Sequence, residues 1–132
     1  MIVDTSAVIA ILKGETDAPA IAACLAAAAR PAISAANWTE AAIVADGDTR
    51  HRDDRDFDGF FDTFGIDIVP VTRDIAAEAR AAYRRFGCGN HPARLNFGDC
   101  FAYALARARG EPLLFKGEDF ARTDIEPALK TR

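Results

Sequence analysis

The stretch Met1-Ile-Val-Asp4 is a short apolar run that ends in an acid, and this pattern recurs along the chain. Comparable runs lie at 33–34, after Pro31, and at 113–115. The run at 66–71 alternates and is rich in β-branched residues, which favours a strand. We predict that all four runs form short strands.

Helical patterns separate these runs, at 18–29, 38–46, 73–86 and 97–109. In the last of them, apolar residues recur at helical spacing and Gly110 follows as a stop signal. Strands that alternate with helices predict a parallel sheet covered by helices on both faces. We therefore expect an α/β fold. At 132 residues the chain has the length of a single domain, which we place at 1–132.

Composition and charge exclude several classes of protein. Half of the residues are hydrophobic and 27% are charged, as in a soluble globular protein. The longest uncharged run, 18–29, is too short to span a bilayer, and no export segment is present, so we predict a cytoplasmic protein without a membrane partner. The 20 acidic residues outnumber the 16 Lys and Arg, for a net charge of −4. Binding of nucleic acid by overall basicity is therefore excluded, and local arginines or a bound metal ion would have to supply the positive charge.

The cysteines and histidines match neither a disulfide framework nor a zinc site. We expect Cys24, Cys88 and Cys100 to be reduced thiols, at least two of them in the core. His91 lies in the turn-forming stretch Gly89-Asn-His-Pro92 and is predicted to be a solvated loop residue.

A charged stretch, 46–58, is predicted to be a solvated loop that leads into a helix. This helix contains four phenylalanines, Phe57, Phe60, Phe61 and Phe64. Two interpretations stay open. The phenylalanines form a protein–protein surface, covered by a second copy of the chain or by another partner, or they belong to the core.

Acidic residues follow the predicted strands at the edge where an open parallel sheet binds its ligands. They are Asp4, Glu40, Asp99 and Asp119. Each also has a structural interpretation. Asp4 could cap a helix that starts at Thr5, and Asp119 could be a turn residue. Glu40 and Asp99 could close capping boxes that begin at Asn37 and Asn96.

Four neighbouring carboxylates cannot all stay ionised without a compensating cation. Because the candidate ligands are all oxygen atoms, they select a hard divalent ion, Mg²⁺ or Mn²⁺. Such an ion can hold a phosphodiester and lower the pKa of a bound water. The acids therefore predict metal-dependent hydrolysis of phosphodiester bonds.

At this point the chain resembles the PIN-domain ribonucleases, specifically the VapC-type toxins of bacterial toxin–antitoxin pairs. The likeness runs in family order from residue 1 to about 125. The pieces that carry it are Met1-Ile-Val-Asp4-Thr-Ser6-Ala-Val-Ile-Ala10, Asn37-Trp-Thr-Glu40, Leu95-Asn-Phe-Gly-Asp99-Cys-Phe-Ala-Tyr-Ala104-Leu-Ala and Leu113-Leu-Phe-Lys-Gly-Glu118-Asp119-Phe120.

The resemblance implies an endoribonuclease with Asp4 and Asp99 as direct metal ligands. Glu40 would orient the attacking water or a second ion, and Asp119 would be the fourth acid, whereas Glu118 stays outside the site. The resemblance places a hydroxyl, from Ser6 or Thr5, near the metal or the phosphate.

Among the arginines, we select Arg94 as the phosphate contact because it directly precedes the Asp99 helix. The same likeness implies an RNA substrate, a homodimer and a small antitoxin that lays a segment, often with an arginine, across the acidic site.

Other functions stay open. A PIN nuclease of RNA maturation without an antitoxin is the main alternative, followed by a non-catalytic signalling or binding module. A phosphotransferase with an aspartyl-phosphate intermediate needs a second Asp two residues after Asp4, where this chain has Ser6. A receiver module needs paired acids near residue 4 that the chain does not have. Which RNA is cut, and whether Mg²⁺ or Mn²⁺ is used, stay open.

Overall fold

Four short parallel strands form the centre of the fold in the computed structural model, which describes residues 1–48 and 56–130. The strands are β1 Ile2–Val3, β2 Ala32–Ser34, β3 Asp67–Val69 and β4 Leu113–Leu114. The helices of the described residues are α1 Thr5–Leu12, α2 Ala18–Ala27, α3 Ala35–Gly47, α4 Phe57–Phe64, α5 Arg73–Phe86 and α6 Phe97–Arg109, and a 3₁₀ turn covers Phe120–Arg122. None of these helices has the length and apolarity needed to cross a membrane.

The strand order is β3-β2-β1-β4, so β1 lies between two neighbours. Ile2 aligns with Ala32 of β2 on one side and with Leu113 of β4 on the other. Since all strand pairs are parallel, the carboxyl ends of the strands meet at one edge of the sheet. Asp4, which directly follows β1, therefore lies in the middle of this edge.

Successive strand residues point to opposite faces and build two hydrophobic cores. Ile2, Ala32 and Leu113 pack with α5 and α6 on one face. Val3, Ile33 and Leu114 pack on the other face with residues of α1, α2, α3 and α4. This arrangement confirms the predicted α/β fold with helices on both faces of a parallel sheet.

Helix α3 begins three residues before its predicted start, because Ser34 caps it. The Ser34 hydroxyl accepts a hydrogen bond from the backbone N–H of Ala36 at 3.3 Å. Asn37 is therefore the third residue of the helix, and the capping box predicted for Asn37 and Glu40 is wrong. The helices predicted at 73–86 and 97–109 have these bounds in the structure. Other bounds differ by one or two residues: α2 ends at Ala27 rather than at 29, and β3 is shorter than the run at 66–71.

The phenylalanines of α4 belong to the core. Phe60 and Phe61 are buried, whereas Phe57 and Phe64 are half-buried against the same core. Trp38 of α3 packs on Phe57 with ring centroids 5.6 Å apart. The core interpretation therefore holds for Phe60 and Phe61, whereas a protein–protein surface at the exposed parts of Phe57 and Phe64 stays a prediction. Of the predicted loop at 46–58, residues 49–55 lie outside the described part of the chain.

The three cysteines are unpaired, as predicted, but only Cys100 is buried, while Cys24 is half-buried and Cys88 is exposed. The expectation of at least two cysteines in the core is therefore wrong. His91 is half-buried rather than solvated. Its Nδ1 accepts the backbone N–H of Ala93 at 3.0 Å, and its ring packs edge-on against Phe86.

Candidate active site

Asp4 is a buried carboxylate at the carboxyl end of β1, with 3% of its surface exposed. It caps α1, because its Oδ2 accepts the backbone N–H of Ser6 at 3.0 Å and the Ser6 hydroxyl at 2.6 Å. Burial raises the pKa of Asp4 to about 6, although the hydrogen bonds from Ser6 act in the opposite direction. Its other oxygen, Oδ1, is buried without a hydrogen-bond partner among the described residues. This carboxylate therefore has one oxygen fixed by the protein and one available to a cation.

Asp99 lies in the first turn of α6 and faces the same edge of the sheet. It forms the predicted capping box: its Oδ2 accepts the backbone N–H of Asn96 at 3.0 Å, and its own N–H donates to Asn96 Oδ1 at 2.9 Å. Burial raises the pKa of Asp99 to about 7, and the negative charges of Asp4, Asp119 and Glu40 raise it further in the same direction. The other three predicted acids thus lie near enough to Asp99 to raise the pKa of its carboxyl group.

Glu40 is half-buried on α3 and approaches the start of α6 at Gly98. A Cβ atom added at Gly98 would lie 2.6 Å from Glu40 Oε1, well inside contact distance. The absence of a side chain at Gly98 therefore makes room for this carboxylate. The amide groups and positive dipole end of the helix favour a negative charge at this position.

Asn37 is a buried residue that the sequence interpretation placed in the wrong role. Its Nδ2 donates to the backbone oxygen of Gly98 at 2.9 Å and to Thr5 Oγ1 at 3.3 Å. The Thr5 hydroxyl in turn donates to the backbone oxygen of Asn37 at 3.1 Å. Asn37 thus joins α3 to α1 and α6 beside Glu40, three residues later on the same helix face. In the sequence, the spacing of three residues between Asn37 and Glu40 is the feature that indicates a shared helix face.

Thr5 and Ser6 have different surroundings, which separates the two predicted hydroxyls. Thr5 is buried, and both of its hydroxyl contacts are with Asn37, so it stabilises the fold rather than facing a ligand. Ser6 is half-buried beside Asp4, and its hydroxyl accepts the backbone N–H of Lys116 at 2.9 Å. Lys116, which sequence reasoning did not select, thereby connects the segment after β4 to the Asp4 carboxylate. Its ammonium group pairs with Glu15 and, at 3.1 Å, with Asp17.

Asp119 and Arg94 are exposed residues, and of the two only Asp119 acts on the pKa of Asp99. Asp119 is exposed and precedes the 3₁₀ turn, but its side chain makes no capping hydrogen bond. Arg94 is exposed in the loop before α6, with a backbone φ of 54°. Within the described part of the chain, Arg94 forms neither an ion pair nor a side-chain hydrogen bond. Glu118 is exposed, next to Asp119.

The residues of this site suit a hard divalent cation. The donors are carboxylate oxygens, and a cation would offset the like charges that raise the pKa of Asp99. The unpartnered Oδ1 of Asp4 is a natural ligand atom. In the arrangement of residues 1–48 and 56–130, no three His, Cys, Asp or Glu side chains are close enough to form a complete metal-binding group. Asp4 and Asp99 are the residues best placed to hold an ion, with Glu40 and Asp119 nearby.

The chain is similar to known proteins over nearly its whole length. The family model described as "PIN domain" matches residues 1–126. The chain is similar to Ribonuclease VapC28 of Mycobacterium tuberculosis, with 50% identity over 133 residues and 100% of both chains covered. It is also similar to Ribonuclease VapC42 of the same species, with 45% identity over 129 residues, 97% of this chain and 98% of the relative.

Two solved structures share the fold. One is that of Mycobacterium tuberculosis VapC20, a sarcin-ricin loop cleaving toxin, with a TM-score of 0.73, 19% identity and coverage of 94% of this chain and 95% of the other. The second is a toxin–antitoxin complex from Klebsiella pneumoniae, with a TM-score of 0.67, 22% identity and coverage of 93% and 92%. At these identities the likeness concerns the fold alone.

Proposed function

Because the chain belongs to the PIN-domain family, we propose that it is an endoribonuclease toxin of a bacterial toxin–antitoxin pair. It hydrolyses phosphodiester bonds of RNA with a divalent cation, Mg²⁺ or Mn²⁺. The observation that carries this proposal is the buried Asp4 oxygen without a partner, close to Asp99, whose pKa is raised by burial and by the charges of three neighbouring acids. The relatives named ribonucleases support the choice of RNA as substrate.

In the proposed mechanism, Asp4 and Asp99 would hold the cation, Asp4 from the end of β1 and Asp99 from the first turn of α6. A bound cation would neutralise charge on the phosphate and lower the pKa of the attacking water. The backbone N–H and the hydroxyl of Ser6 both donate to Asp4 Oδ2, and the Lys116 backbone N–H donates to the same hydroxyl, while Oδ1 is left for the ion. A carboxylate held by two hydrogen bonds in this way would lose little freedom when an ion binds.

In this proposal Glu40 orients the attacking water. Its carboxylate lies against Gly98, at the start of the helix that carries Asp99. A positioned carboxylate of this kind would accept a proton from the water as the water oxygen bonds to phosphorus and the bond from phosphorus to the leaving oxygen of the RNA breaks, and solvent would supply the proton to that leaving oxygen. Asp119 adds a fourth negative charge near Asp99, and Arg94 binds a phosphate of the strand, since its guanidinium group is free in the described structure.

We propose two protein partners for the toxin. A second copy of the chain forms a homodimer, which light scattering during size-exclusion chromatography would show as twice the 14.2 kDa mass of the chain. An antitoxin inhibits by placing a basic side chain, such as an arginine, against the acidic cluster. The fold shared with a chain of the Klebsiella pneumoniae toxin–antitoxin complex is in keeping with such a partner.

The proposed function is tested by incubating the purified protein with total RNA in Mg²⁺, in Mn²⁺ and in excess EDTA, and by mapping the cut sites. We expect cleavage with either ion, its loss in EDTA, and its return when Mg²⁺ exceeds the chelator. Asp4→Asn, purified in parallel, controls for contaminating nucleases and should be inactive in every buffer. Cleavage by the wild-type protein that continues unchanged in EDTA would falsify the metal-dependent mechanism.

The role of Glu40 is tested by a change at the residue it touches. Gly98→Ala places a methyl group where the Glu40 carboxylate lies, so that this flexible side chain must move. We expect RNA cleavage to fall about tenfold to a hundredfold, which is part of the effect of a positioned acid–base group. Stability should not fall, because Ala is favoured over Gly inside a helix by about 1 kcal/mol.

Gly47→Ala is the matched control for this change. Gly47 is the last residue of α3, and a Cβ atom there would meet no atom within 4 Å. This variant should keep both activity and stability. Equal cleavage rates for Gly98→Ala and Gly47→Ala, measured on the same RNA, would remove Glu40 from the mechanism.

A further inference from the structure

A groove of about 720 Å³ lies between α5 and the beginning of α6, next to the acidic site. Its walls include Arg80, Tyr83 and Arg84 of α5, and Phe97 of α6. Asn96, the residue that caps α6 and holds Asp99, also lines it. One wall residue of the groove, Asn96, is therefore hydrogen-bonded to Asp99, a proposed metal ligand.

The groove carries positive charge in a chain that is acidic overall. Arg80 and Arg84 lie one helical turn apart on α5, and no Asp or Glu lines the groove. Within the described residues neither arginine forms an ion pair, whereas Arg85 and Arg107 both pair with Asp124. Two unpaired guanidinium groups on one wall suit an anionic ligand with more than one phosphate.

The groove also presents aromatic rings to solvent. Phe97 is 78% exposed, the largest exposure of any large hydrophobic residue in the described part of the chain, and Tyr83 is 42% exposed. Phe101 supports the Phe97 ring from below, with centroids 4.9 Å apart and the planes at 72°. An exposed ring held in this way offers a surface on which a nucleic-acid base can stack.

The two unpaired arginines and the exposed aromatic ring suit the same kind of ligand, one with both phosphates and a base. We propose that the groove is a nucleotide subsite, in which an unpaired base of the RNA stacks on Phe97 while Arg80 and Arg84 bind phosphates of the same strand. The inference rests on the proposed ribonuclease function and adds to it a preference for single-stranded RNA. A duplex fits poorly, because its bases stack on one another and cannot reach the ring.

Fluorescence anisotropy with a labelled single-stranded RNA of mixed sequence tests the subsite. All proteins carry Asp4→Asn, which lies outside the groove and prevents cleavage during the measurement. Phe97→Ala should raise the Kd about tenfold, which corresponds to about 1.4 kcal/mol, because it removes the ring on which the base stacks. The same RNA annealed to its complement should bind both proteins with equal Kd.

The arginines are tested through the salt dependence of binding. Arg80→Gln and Arg84→Gln should each lower the slope of log Kd against log salt concentration by about 0.7, the value for one contact with a single-strand phosphate. Arg109→Gln, at the far end of α6, and Ile43→Ala, which removes an exposed side chain of α3, are matched controls and should leave Kd and slope unchanged.

The possible results separate the subsite from the nuclease proposal. An unchanged Kd and salt slope in the groove variants overturns the subsite, even if the wild-type protein cleaves RNA. An unchanged Kd together with a lower mass of Phe97→Ala in light scattering also overturns it, and assigns the groove to a second copy of the chain. Because the anisotropy assay needs no cleavage, weaker binding by the groove variants supports the subsite even if cleavage is not observed.

Discussion

Asp99→Asn should lower the rate of RNA cleavage at least about a hundredfold and should leave the metal-free protein as stable as wild type, or more stable. We expect a lower rate because the substitution removes a proposed charged metal ligand. It also removes a carboxyl group whose pKa is raised to about 7 by burial and by three neighbouring acids. Loss of that charge relieves repulsion in the metal-free fold.

Asp99→Ala distinguishes the loss of charge from the loss of the cap. The Asp99 side chain accepts the Asn96 backbone N–H, and an Asn side chain can keep this hydrogen bond while Ala cannot. Asp99→Ala should therefore unfold at a lower temperature, by an amount that corresponds to about 0.5–2 kcal/mol. Both variants should be inactive. An Asp99→Asn protein that keeps wild-type cleavage rates would exclude Asp99 as a ligand, whatever its melting temperature.

The second large effect is the dependence of the melting temperature on pH and on a divalent ion. In EDTA, the melting temperature of the wild-type protein should fall as the pH rises from about 5 to 8. Folding raises the pKa of Asp4 to about 6 and that of Asp99 to about 7, above their ordinary value of 3.8. The folded state thus holds these protons more tightly than the unfolded state. The resulting stability is fully present below pH 3.8 and is lost as the pH rises through 6 and 7.

A divalent ion should reverse this loss at the upper end of the range. It competes with protons for the same carboxylates, so Mg²⁺ or Mn²⁺ should raise the melting temperature strongly at pH 8 and little at pH 5. At a hundredfold excess over its Kd, the ion stabilises the folded state by about 2.7 kcal/mol. Differential scanning fluorimetry of wild type and Asp99→Asn measures both effects. If the two proteins show the same pH dependence and the same metal-induced shift, the four-acid site is not the metal site.

Asp4 and Asp99 could be predicted from the sequence because their positions depend on local features. Asp4 directly follows a strand whose two residues are both apolar, and Asp99 occupies the third position after an Asn that caps a helix. Parallel strands bring such positions to one edge of the sheet. Local sequence was enough for both residues.

Glu40 was selected for a reason that the structure does not support. The predicted capping box placed it in the first turn of a helix that in fact begins at Ala35 and is capped by Ser34. What positions Glu40 is the close approach of α3 to Gly98 of α6, held by Asn37. This contact joins residues about sixty positions apart, so no local pattern could show it.

The burial of the phenylalanines in α4 also could not be predicted from local sequence. Four phenylalanines in one short helix are equally compatible with a core and with an interface. Phe60 and Phe61 are buried because they pack in one core with strand residues, and Trp38 packs on Phe61. These contacts exist only in the folded chain. Phe97 is the opposite case: an aromatic residue in a helix that otherwise supplies the core is 78% exposed.

The two-residue strand β1 has a consequence for cooperativity. Its first residue, Ile2, belongs to one hydrophobic core and its second, Val3, to the other. Asp4 comes next, so its position is set only when both halves of the molecule have formed. A partly folded chain that retains one core therefore has no assembled site. The enzyme should behave as an all-or-none unit, in which catalytic activity and global folding disappear over the same range of temperature or denaturant.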